Sequence, residues 1–526
     1  MNKLHKKLYW FTFIIILLIF IFVQYFGLIY YKYAVPPGHD AMMHWWIAKP
    51  IFERSIDFLQ IWNHGGYPPG FHYLISELSH LFSVDPMDTM LWLSPSILIL
   101  SGLAIFYMSR KVFGNAVAIA AFFSYAFLAK TPLQQLNDGG YPNLIASQIL
   151  LPILILFGIN LFTAQKNKFE YAKWIFSILA ALFLIGTTHH ISFFYVIGLI
   201  LLMIPVFLIY RLKNKKITLK KFILLASITL ALSALFFGLY NSTPIFAPFR
   251  HLSAIVIQPM SVFPFFKIVG TQDPESLLRL FSYPSYLGVS LSLLAFLGII
   301  FSLVNWKRIS ERYRTGLLIL TTYSLMLFIG SRLPFLTNPD RLVRDLAFPL
   351  SVFAGIFLVW AYSHISNIKP MKYKVIPLLC LITITAIPLI QRIRNSISYE
   401  PMVRITSADM KAIEYIRNNA PSDSVLIEGF SFYFDRFLPD SKIHYLWLPQ
   451  TMQYPGVHPL DPSIKSEMEN LRDFDYIYIV DRQTGWAPKA ISFGFAENYT
   501  NNKNFEKVGH FTSQTNEVYL FKVLRP

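Results

Sequence analysis

Runs of about 20 consecutive apolar residues recur along this chain, and they constrain its fold more than any other feature. An apolar helix of that length crosses about 30 Å of hydrocarbon. Of the 526 residues, 54% are hydrophobic and 14% are charged, whereas soluble domains carry about 25% charged residues. The surplus of apolar surface therefore predicts a mainly α-helical integral membrane protein.

The runs predict a polytopic bundle of about 11 transmembrane helices. The spans are 8–30, 88–108, 112–129, 143–163, 172–188, 191–210, 222–240, 286–304, 315–331, 343–363 and 373–390. The first run follows a basic segment and is longer than the apolar core of a signal peptide, so we expect an uncleaved anchor.

The basic residues set the orientation of the bundle. With the N-terminus inside, the inner segments carry 21 Lys and Arg, whereas the much longer outer loops before residue 391 carry 10. Because cytoplasmic loops are enriched in Lys and Arg, this asymmetry predicts a cytoplasmic N-terminus and an extracytoplasmic C-terminus in a multi-pass protein of the cell membrane. The formal net charge of +17 is then explained by topology and anionic headgroups, and nucleic-acid binding is disfavoured.

The acidic residues are distributed in the opposite sense. All eight Asp residues that precede residue 391 fall on the predicted outer side, and the inner loops contain none. Eight of the ten His residues before residue 391 fall on the same side, so groups that bind metals, bases and phosphates are gathered on one face. This distribution favours an active site that faces the exterior.

The chain divides into two predicted domains. Residues 1–398 form the transmembrane domain, whose first outer loop, 31–87, contains two amphipathic stretches expected to be interfacial helices. Residues 399–526 form a small extracytoplasmic α/β domain, with TSADMKAIEYIRNN as a helix and SVLIEGF, FDYIYIVD and NEVYLFKVL as strands. It lacks a Gly-rich phosphate loop and a G-x-S-x-G motif, so we expect a binding or scaffolding role. The single cysteine excludes an intrachain disulfide and a Cys-based metal site.

Asp40, in the segment PPGHDAMMH just beyond the first span, is the candidate catalytic residue. A carboxylate in a partly desolvated site has a raised pKa, which suits a general base. The other interpretation is that Asp40 caps the helix that follows it. His44 falls on the same helical face, so a divalent metal held by Asp40 and His44 stays open, and no cofactor is certain.

Two turns with the sequence GGYP lie on the predicted outer face. NHGGYPPGFH contains Tyr67 and His72, and NDGGYPN contains Asp138. The repetition favours a shared site in which these three residues bind substrate. The alternative is that each turn only reverses the chain.

Thr188, His189 and His190 form an outer turn between two predicted spans. A polar side chain at such a position costs free energy unless it binds a partner or has a function. The two histidines are therefore candidates for ligands or proton shuttles, although a purely structural turn is an equal alternative.

Arg341 and Arg344 stand where the tenth predicted span begins. The guanidinium is a planar fork that binds phosphate through two parallel hydrogen bonds. A lipid phosphate at the membrane surface is therefore a natural partner. The alternative is an interfacial arginine that pairs with a nearby Asp.

Taken together, these features resemble the GT-C class of membrane glycosyltransferases: an acid in the first outer loop (GHDAMMH), two interfacial helices there, many spans, the outer THH turn, Arg near a late span, and a soluble C-terminal domain. The resemblance implies transfer of a sugar from a polyprenyl phosphate to a lipid, glycan or protein acceptor outside the cytoplasm, by a single inverting displacement. It implies that Asp40 is the base and that Arg344, with Arg341 or Lys49, binds the donor phosphate. His189 or His190 would be a further substrate ligand.

The sequence departs from the oligosaccharyltransferase branch of that class, which carries a WWDYG motif in its soluble domain. The nearest strings here are GWAPK at Gly485 and the pair Trp45–Trp46. This difference favours a monosaccharide transferase that resembles the dolichyl-phosphate-mannose or arabinosyl types. The rival functions are a transporter or lipid flippase and a catalytically inactive relative. Ionisable groups are nearly absent from the centres of the spans, which disfavours transport.

Overall fold

The computed structural model describes most of the membrane region and part of the C-terminal region. The described residues are 3–30, 35–38, 40–55, 67–163, 168–213, 282–331, 339–369, 373–398, 407–421, 425–428, 438, 444–446, 477–484, 505–513 and 516–524. The chain divides into two compact units, one formed by residues 1–25 with 45–395 and the other by residues 26–44 with 396–526.

Helices dominate the described residues. They are α1 (Lys3–Tyr30), α2 (Ala41–Phe52), α3 (Gly70–Phe82), α4 (Pro86–Phe113), α5 (Asn115–Leu128), α6 (Thr131–Asn137), α7 (Tyr141–Thr163), α8 (Lys168–Thr188), α9 (His190–Lys213), α10 (Ser282–Leu287), α11 (Val289–Val304), α12 (Glu311–Gly330), α13 (Pro339–Asp345), α14 (Ala347–Asn367), α15 (Val375–Ser398) and α16 (Ser407–Asn419).

The membrane bundle predicted from the apolar runs is confirmed. Among the described residues, eight helices are long and apolar enough to cross a bilayer, or nine if the bent pair α5 and α6 is counted as one span. Helix α11 is apolar but shorter, at 16 residues. Ten of the predicted spans coincide with a described helix, and the remaining one, 222–240, lies outside the described residues. The total of about 11 therefore stays a prediction.

The two short helices predicted in the first outer loop are α2 and α3, and they pack against each other. The Ser76 hydroxyl of α3 donates to the carbonyl oxygen of Ala48 in α2, at 2.8 Å. The Trp45 indole donates to Oδ1 of Asp85, at 3.0 Å, and the same carboxylate caps α4 by accepting from the backbone N–H of Met87. One carboxylate thus ties α2 to the first turn of a long span.

Helix α6 occupies a segment that the sequence predicts to be a loop. It follows α5 after a bend of 51°. Pro132 in its first turn has no N–H to donate and suits a helix start. The backbone N–H of Lys130, at the bend, donates to the carbonyl oxygen of Leu287 instead, at 3.0 Å. The bend is therefore stabilised by a distant segment of the chain, which the local sequence does not reveal.

Small residues let the helices of the bundle approach closely. A Cβ on Gly298 of α11 would lie 2.0 Å from the carbonyl oxygen of Phe353 in α14, and one on Gly355 would lie 2.6 Å from the backbone nitrogen of Ala121 in α5. Close contact through glycine is the usual way in which helices associate in membranes, where burial of apolar surface supplies little driving force.

The C-terminal region contains the predicted α/β domain. Its strands are β1 (Val425–Glu428), β2 (His444–Leu446), β3 (Ile477–Thr484), β4 (Phe505–Thr512) and β5 (Asn516–Val523). They form one sheet of order β2-β1-β3-β5-β4, in which β1 is parallel to both neighbours and β5 antiparallel to both of its own. The three predicted strands correspond to β1, β3 and β5, whereas β2 and β4 were not predicted.

We expect Gly298→Ala to destabilise the bundle, because the added Cβ overlaps the Phe353 carbonyl oxygen. Overpacking typically costs about 1–3 kcal/mol, so the midpoint of thermal unfolding in detergent should fall. Gly158→Ala is the matched control, since a Cβ there meets no described atom within 4 Å and Ala is the better helix former. A midpoint for Gly298→Ala at or above that of Gly158→Ala would contradict this packing.

Candidate functional site

The centre of the candidate site is the side chain of Arg344, at the end of α13. Its Nε donates to the Tyr286 hydroxyl at 2.8 Å, and its Nη1 pairs with Oδ2 of Asp138. The side chains of Arg344 and Asp138 are 18% and 35% exposed. A guanidinium held on two sides in a partly buried position is pre-organised, and it stays accessible to a small anion.

Local chain geometry places the two partners of this ion pair. Asp138 follows the last turn of α6, and the next residue, Gly139, has a φ of +81°, which only glycine adopts without strain. This residue lets the GGYP turn reverse the chain directly after Asp138. On the other side, the Thr131 hydroxyl donates to the backbone carbonyl of Arg344 at 3.1 Å. Helix α6 therefore contacts Arg344 through residues near both of its ends.

Asp345, the next residue, is fully buried and lies in a polar network inside the bundle. Its Oδ1 accepts from Ser147 Oγ at 2.8 Å, Gln135 Nε2 at 3.2 Å and Gln148 Nε2 at 3.3 Å. Its Oδ2 has no hydrogen-bond partner in the part of the chain that the structure describes. The carboxylate thus connects α13 to α6 and α7.

A π-helical turn explains why two consecutive residues of α7 reach the same carboxylate. Residues Ile145–Leu150 form this turn, and it contains both Ser147 and Gln148. Consecutive side chains of an α-helix diverge by about 100° because the helix has 3.6 residues per turn. The wider π turn reduces that angle, and such turns are frequent at functional sites.

The predicted THH turn joins the same network from the other side. His189 Nδ1 lies 2.8 Å from Ser192 Oγ and accepts from the Ser192 backbone N–H at 3.2 Å. A neutral His189 therefore carries its proton on Nε2. Ser192 Oγ lies 2.7 Å from Asn143 Oδ1, and the Asn143 carbonyl is 2.8 Å from Ser147 Oγ. A continuous series of polar contacts thus runs from His189 to Asp345.

The two GGYP tyrosines belong to one cluster of aromatic rings. Tyr67 lies edge-on to His72 and to His190, with ring centroids 5.4 and 5.5 Å apart. Phe71 connects the cluster to Tyr141, 6.0 Å away. The rings of His72 and His190 are buried, whereas Tyr67 is partly exposed. The binding roles predicted for Tyr67, His72, His189 and His190 stay predictions.

Asp40 and its neighbours lie at the start of α2. Asp40 is half-buried and directly precedes the helix, its backbone carbonyl accepts from the N–H of His44 at 3.0 Å, and His44 is buried. Lys49 contacts residues close to it in the chain: its ammonium lies 4.7 Å from the Trp45 ring and 3.9 Å from Glu53, the residue after α2. The contacts described for Lys49 therefore do not include Arg344, with which the sequence analysis grouped it.

Arg341 belongs to α13 and stands three residues before Arg344 in the chain. Its predicted role beside Arg344 stays a prediction.

The divalent metal left open by the sequence would have Asp40 and His44 as its only candidate protein ligands. Within the described ranges there is no group of three or more His, Cys, Asp or Glu side chains that could hold a metal ion. Two protein ligands are fewer than zinc sites use. They would suffice for an ion that takes its other ligands from water and a substrate phosphate, as magnesium does.

Apart from Asp138, the partners that fix Arg344 and Asp345 were not predicted from the sequence. Ser147 and Gln148 lie inside a predicted span, where uncharged polar residues are costly unless they are paired, and this signal could have identified them. Tyr286 carries no comparable signal, because a tyrosine near a span end is common. Lys130 lies in a predicted loop, where a lysine is common and does not indicate a binding site.

Solved structures that are similar to this chain include those of two proteins. The apo crystal structure of the oligosaccharyltransferase of Archaeoglobus fulgidus aligns with a TM-score of 0.58 and 14% identity, over 99% of this chain and 75% of that one. A complex of that protein with Zn and sulfate aligns with a TM-score of 0.57 and 13% identity, over 97% and 72% of the two chains. ArnT from Cupriavidus metallidurans bound to undecaprenyl phosphate aligns with a TM-score of 0.55 and 11% identity, over 96% and 97%.

These similarities confirm the fold expected from the sequence, that of the GT-C class of membrane glycosyltransferases. No protein-family model and no curated protein matches the sequence.

We expect Ser147→Ala to destabilise the protein more than Ser351→Ala. Both serines are buried and lie within hydrogen-bond distance of the carbonyl four residues earlier, but only Ser147 also reaches Asp345. Loss of a hydrogen bond to a buried charged group costs about 1.5–3 kcal/mol. The measurement is the midpoint of thermal unfolding in detergent. Equal midpoints for the two variants would show that the contact with Asp345 contributes no stability.

Proposed function

We propose that this protein is a membrane glycosyltransferase that moves a sugar from a polyprenyl-phosphate donor to an acceptor outside the cytoplasm. The observation that carries the proposal is the partly exposed guanidinium of Arg344, fixed by Tyr286 and Asp138 where the apolar span Leu342–Asn367 begins. At this position a cation can meet the phosphate of a lipid whose tail lies in the bilayer. The fold gives further support, since one similar structure is of ArnT bound to undecaprenyl phosphate.

Arg344 would bind the donor phosphate and stabilise it as it departs. Its fork geometry matches two phosphate oxygens. Charge placed where negative charge develops is usually the largest electrostatic contribution to catalysis. Asp138 pairs with Arg344, and the phosphate would share or replace that contact. Arg341, three residues earlier in the chain, would add a second positive charge.

Asp40 would act as the general base. As the oxygen of an acceptor hydroxyl attacks the anomeric carbon, its proton passes to the Asp40 carboxylate. The bond from that carbon to the phosphate oxygen breaks, and its electron pair leaves with the polyprenyl phosphate. One displacement inverts the anomeric configuration, so no second carboxylate is required as a nucleophile.

The ring cluster would form one wall of the site. Tyr67 is proposed as the ring that contacts substrate, because it is partly exposed. His72, His189 and His190 are buried, and the polar series from His189 to Asp345 would keep the wall in a fixed position. If a divalent metal takes part, Asp40 and His44 would supply its protein ligands, and the ion would bring positive charge to the phosphate.

The distribution of Lys and Arg supports a cytoplasmic N-terminus and an extracytoplasmic C-terminal domain. The absence of WWDYG favours a monosaccharide donor over the en bloc transfer of an oligosaccharide. The acceptor is proposed as a lipid, glycan or protein on the extracytoplasmic side.

We expect Asp40→Asn to abolish sugar transfer while the protein still inserts into membranes, because an amide cannot take the proton. The assay supplies labelled polyprenyl-phosphate hexoses and native acceptors to membranes that contain the wild type or the variant. Asp88→Asn, another acidic residue of the predicted outer side, is the control and should keep its activity. Near-normal transfer by Asp40→Asn would refute its role as the base. No transfer by the wild type with any donor would favour a transporter or an inactive relative.

We expect Arg344→Met to lower kcat/KM for the donor about 100-fold or more, the loss typical when a group that stabilises developing negative charge is removed. Asp138→Asn should have a smaller effect, because it leaves the guanidinium and its contact with Tyr286 in place. Transfer kinetics at varied donor concentration measure both. If Asp138→Asn is the more damaging variant, the ion pair matters for structure and Arg344 is not the phosphate ligand.

A further inference from the structure

Lys130 is a second cation attached to the segment that holds Arg344. It lies at the bend between α5 and α6, and its side chain is exposed. Its ammonium donates to the carbonyl oxygen of Ser285 at 3.1 Å, and its backbone N–H donates to that of Leu287 at 3.0 Å. Two bonds to one short segment fix both the backbone and the end of the side chain.

Arg344 binds the same short segment of the chain as Lys130. Tyr286, whose hydroxyl accepts from Arg344 Nε, lies between Ser285 and Leu287 in the sequence. Thr131, the neighbour of Lys130, donates to the Arg344 backbone carbonyl. Three segments therefore meet at one place: the dipeptide Lys130–Thr131, the end of α10 and the end of α13. A hydrogen bond supports each of these connections.

The two cations at this place are partnered differently. Arg344 pairs with Asp138 and directly precedes the buried carboxylate of Asp345. Within the described residues, Lys130 has no carboxylate oxygen within 4.0 Å, and its ammonium partner is a neutral carbonyl. An ammonium carries three donors, so two of them are left for water or an anion.

We propose that Lys130 is a second cationic ligand of the donor lipid's phosphate, beside Arg344. This inference rests on the proposed function and adds a residue to the site. Arginine supplies a planar fork with a fixed direction, whereas lysine supplies a compact charge with rotatable donors. The two together can bind different oxygens of one phosphate.

The test is the affinity of the purified full-length protein, in detergent, for undecaprenyl phosphate. Uncharged undecaprenol reports binding of the tail alone, and inorganic phosphate and phosphatidylglycerol report free phosphate and ordinary headgroups. The variants are Lys130→Met, Lys130→Arg and Arg344→Met. Lys374→Met is the matched control, because Lys374 is another lysine whose ammonium donates to a backbone carbonyl, that of Ser366.

We expect Lys130→Met to weaken binding of undecaprenyl phosphate about tenfold or more, the equivalent of about 1.4 kcal/mol. Its affinity for undecaprenol should be unchanged. Lys130→Arg should restore most of the affinity, Lys374→Met should bind as the wild type does, and phosphatidylglycerol should not compete. A merely structural role for Lys130 would weaken the phosphate and the alcohol equally, and that result would overturn the proposal.

The design separates two kinds of failure. If Arg344→Met loses affinity and Lys130→Met does not, the inference about Lys130 is wrong and the proposed function stands. If the wild type binds undecaprenyl phosphate no better than undecaprenol, the donor-phosphate site itself is wrong, and the role of Lys130 is wrong with it. Equal competition by inorganic phosphate or phosphatidylglycerol would also overturn the assignment to the donor lipid.

Discussion

The buried carboxylate of Asp345 is the constraint on which the candidate site depends. It lies in an apolar bundle, where an uncompensated charge would be very costly, and three side-chain donors converge on one of its oxygens. Those donors come from α6 and α7, so the carboxylate holds α13 against both helices. Since α13 is held from its buried side, Arg344, the preceding residue, is directed toward Asp138 and Tyr286. The burial of Asp345 thus sets the direction of the Arg344 side chain.

Helix α6 is the second element that the site requires. It has seven residues, yet it supplies a contact to Asp345 from Gln135, a contact to the Arg344 backbone from Thr131, and the ion pair of Asp138 directly after its end. A flexible loop of the same length would lose conformational entropy for each of these contacts, whereas a short helix fixes all of them at once. The bend before α6 brings Lys130 to the same place, because its backbone N–H is captured by the segment that carries Tyr286.

The parts of this arrangement that sequence could predict are those with a local signal. Apolar runs located the spans, and the fold expected from the overall pattern agrees with that of the similar solved structures. Arg344 and Asp138 were candidates because charged residues at span ends on one face indicate a binding site there. The polar residues Ser147 and Gln148 carried a signal that is visible in retrospect, inside an apolar run. Tyr286 and Lys130 carried none, since their importance lies in partners that are 58 and 155 residues away.

By itself, the sequence determined that this chain is a multi-pass membrane protein with its acidic residues gathered on one predicted face. Segment length, apolar content and the positions of charges are local properties, and they suffice for that conclusion. Only the tertiary structure decided that Arg344 pairs with Asp138, 206 residues earlier, and that Asp345 turns inward. The physical reason is that lipid-facing and protein-facing apolar residues are chemically alike, so the pattern that identifies a span does not specify its neighbours. Those neighbours follow from close packing at residues such as Gly298 and from a few buried polar contacts, which exist only once the helices have assembled.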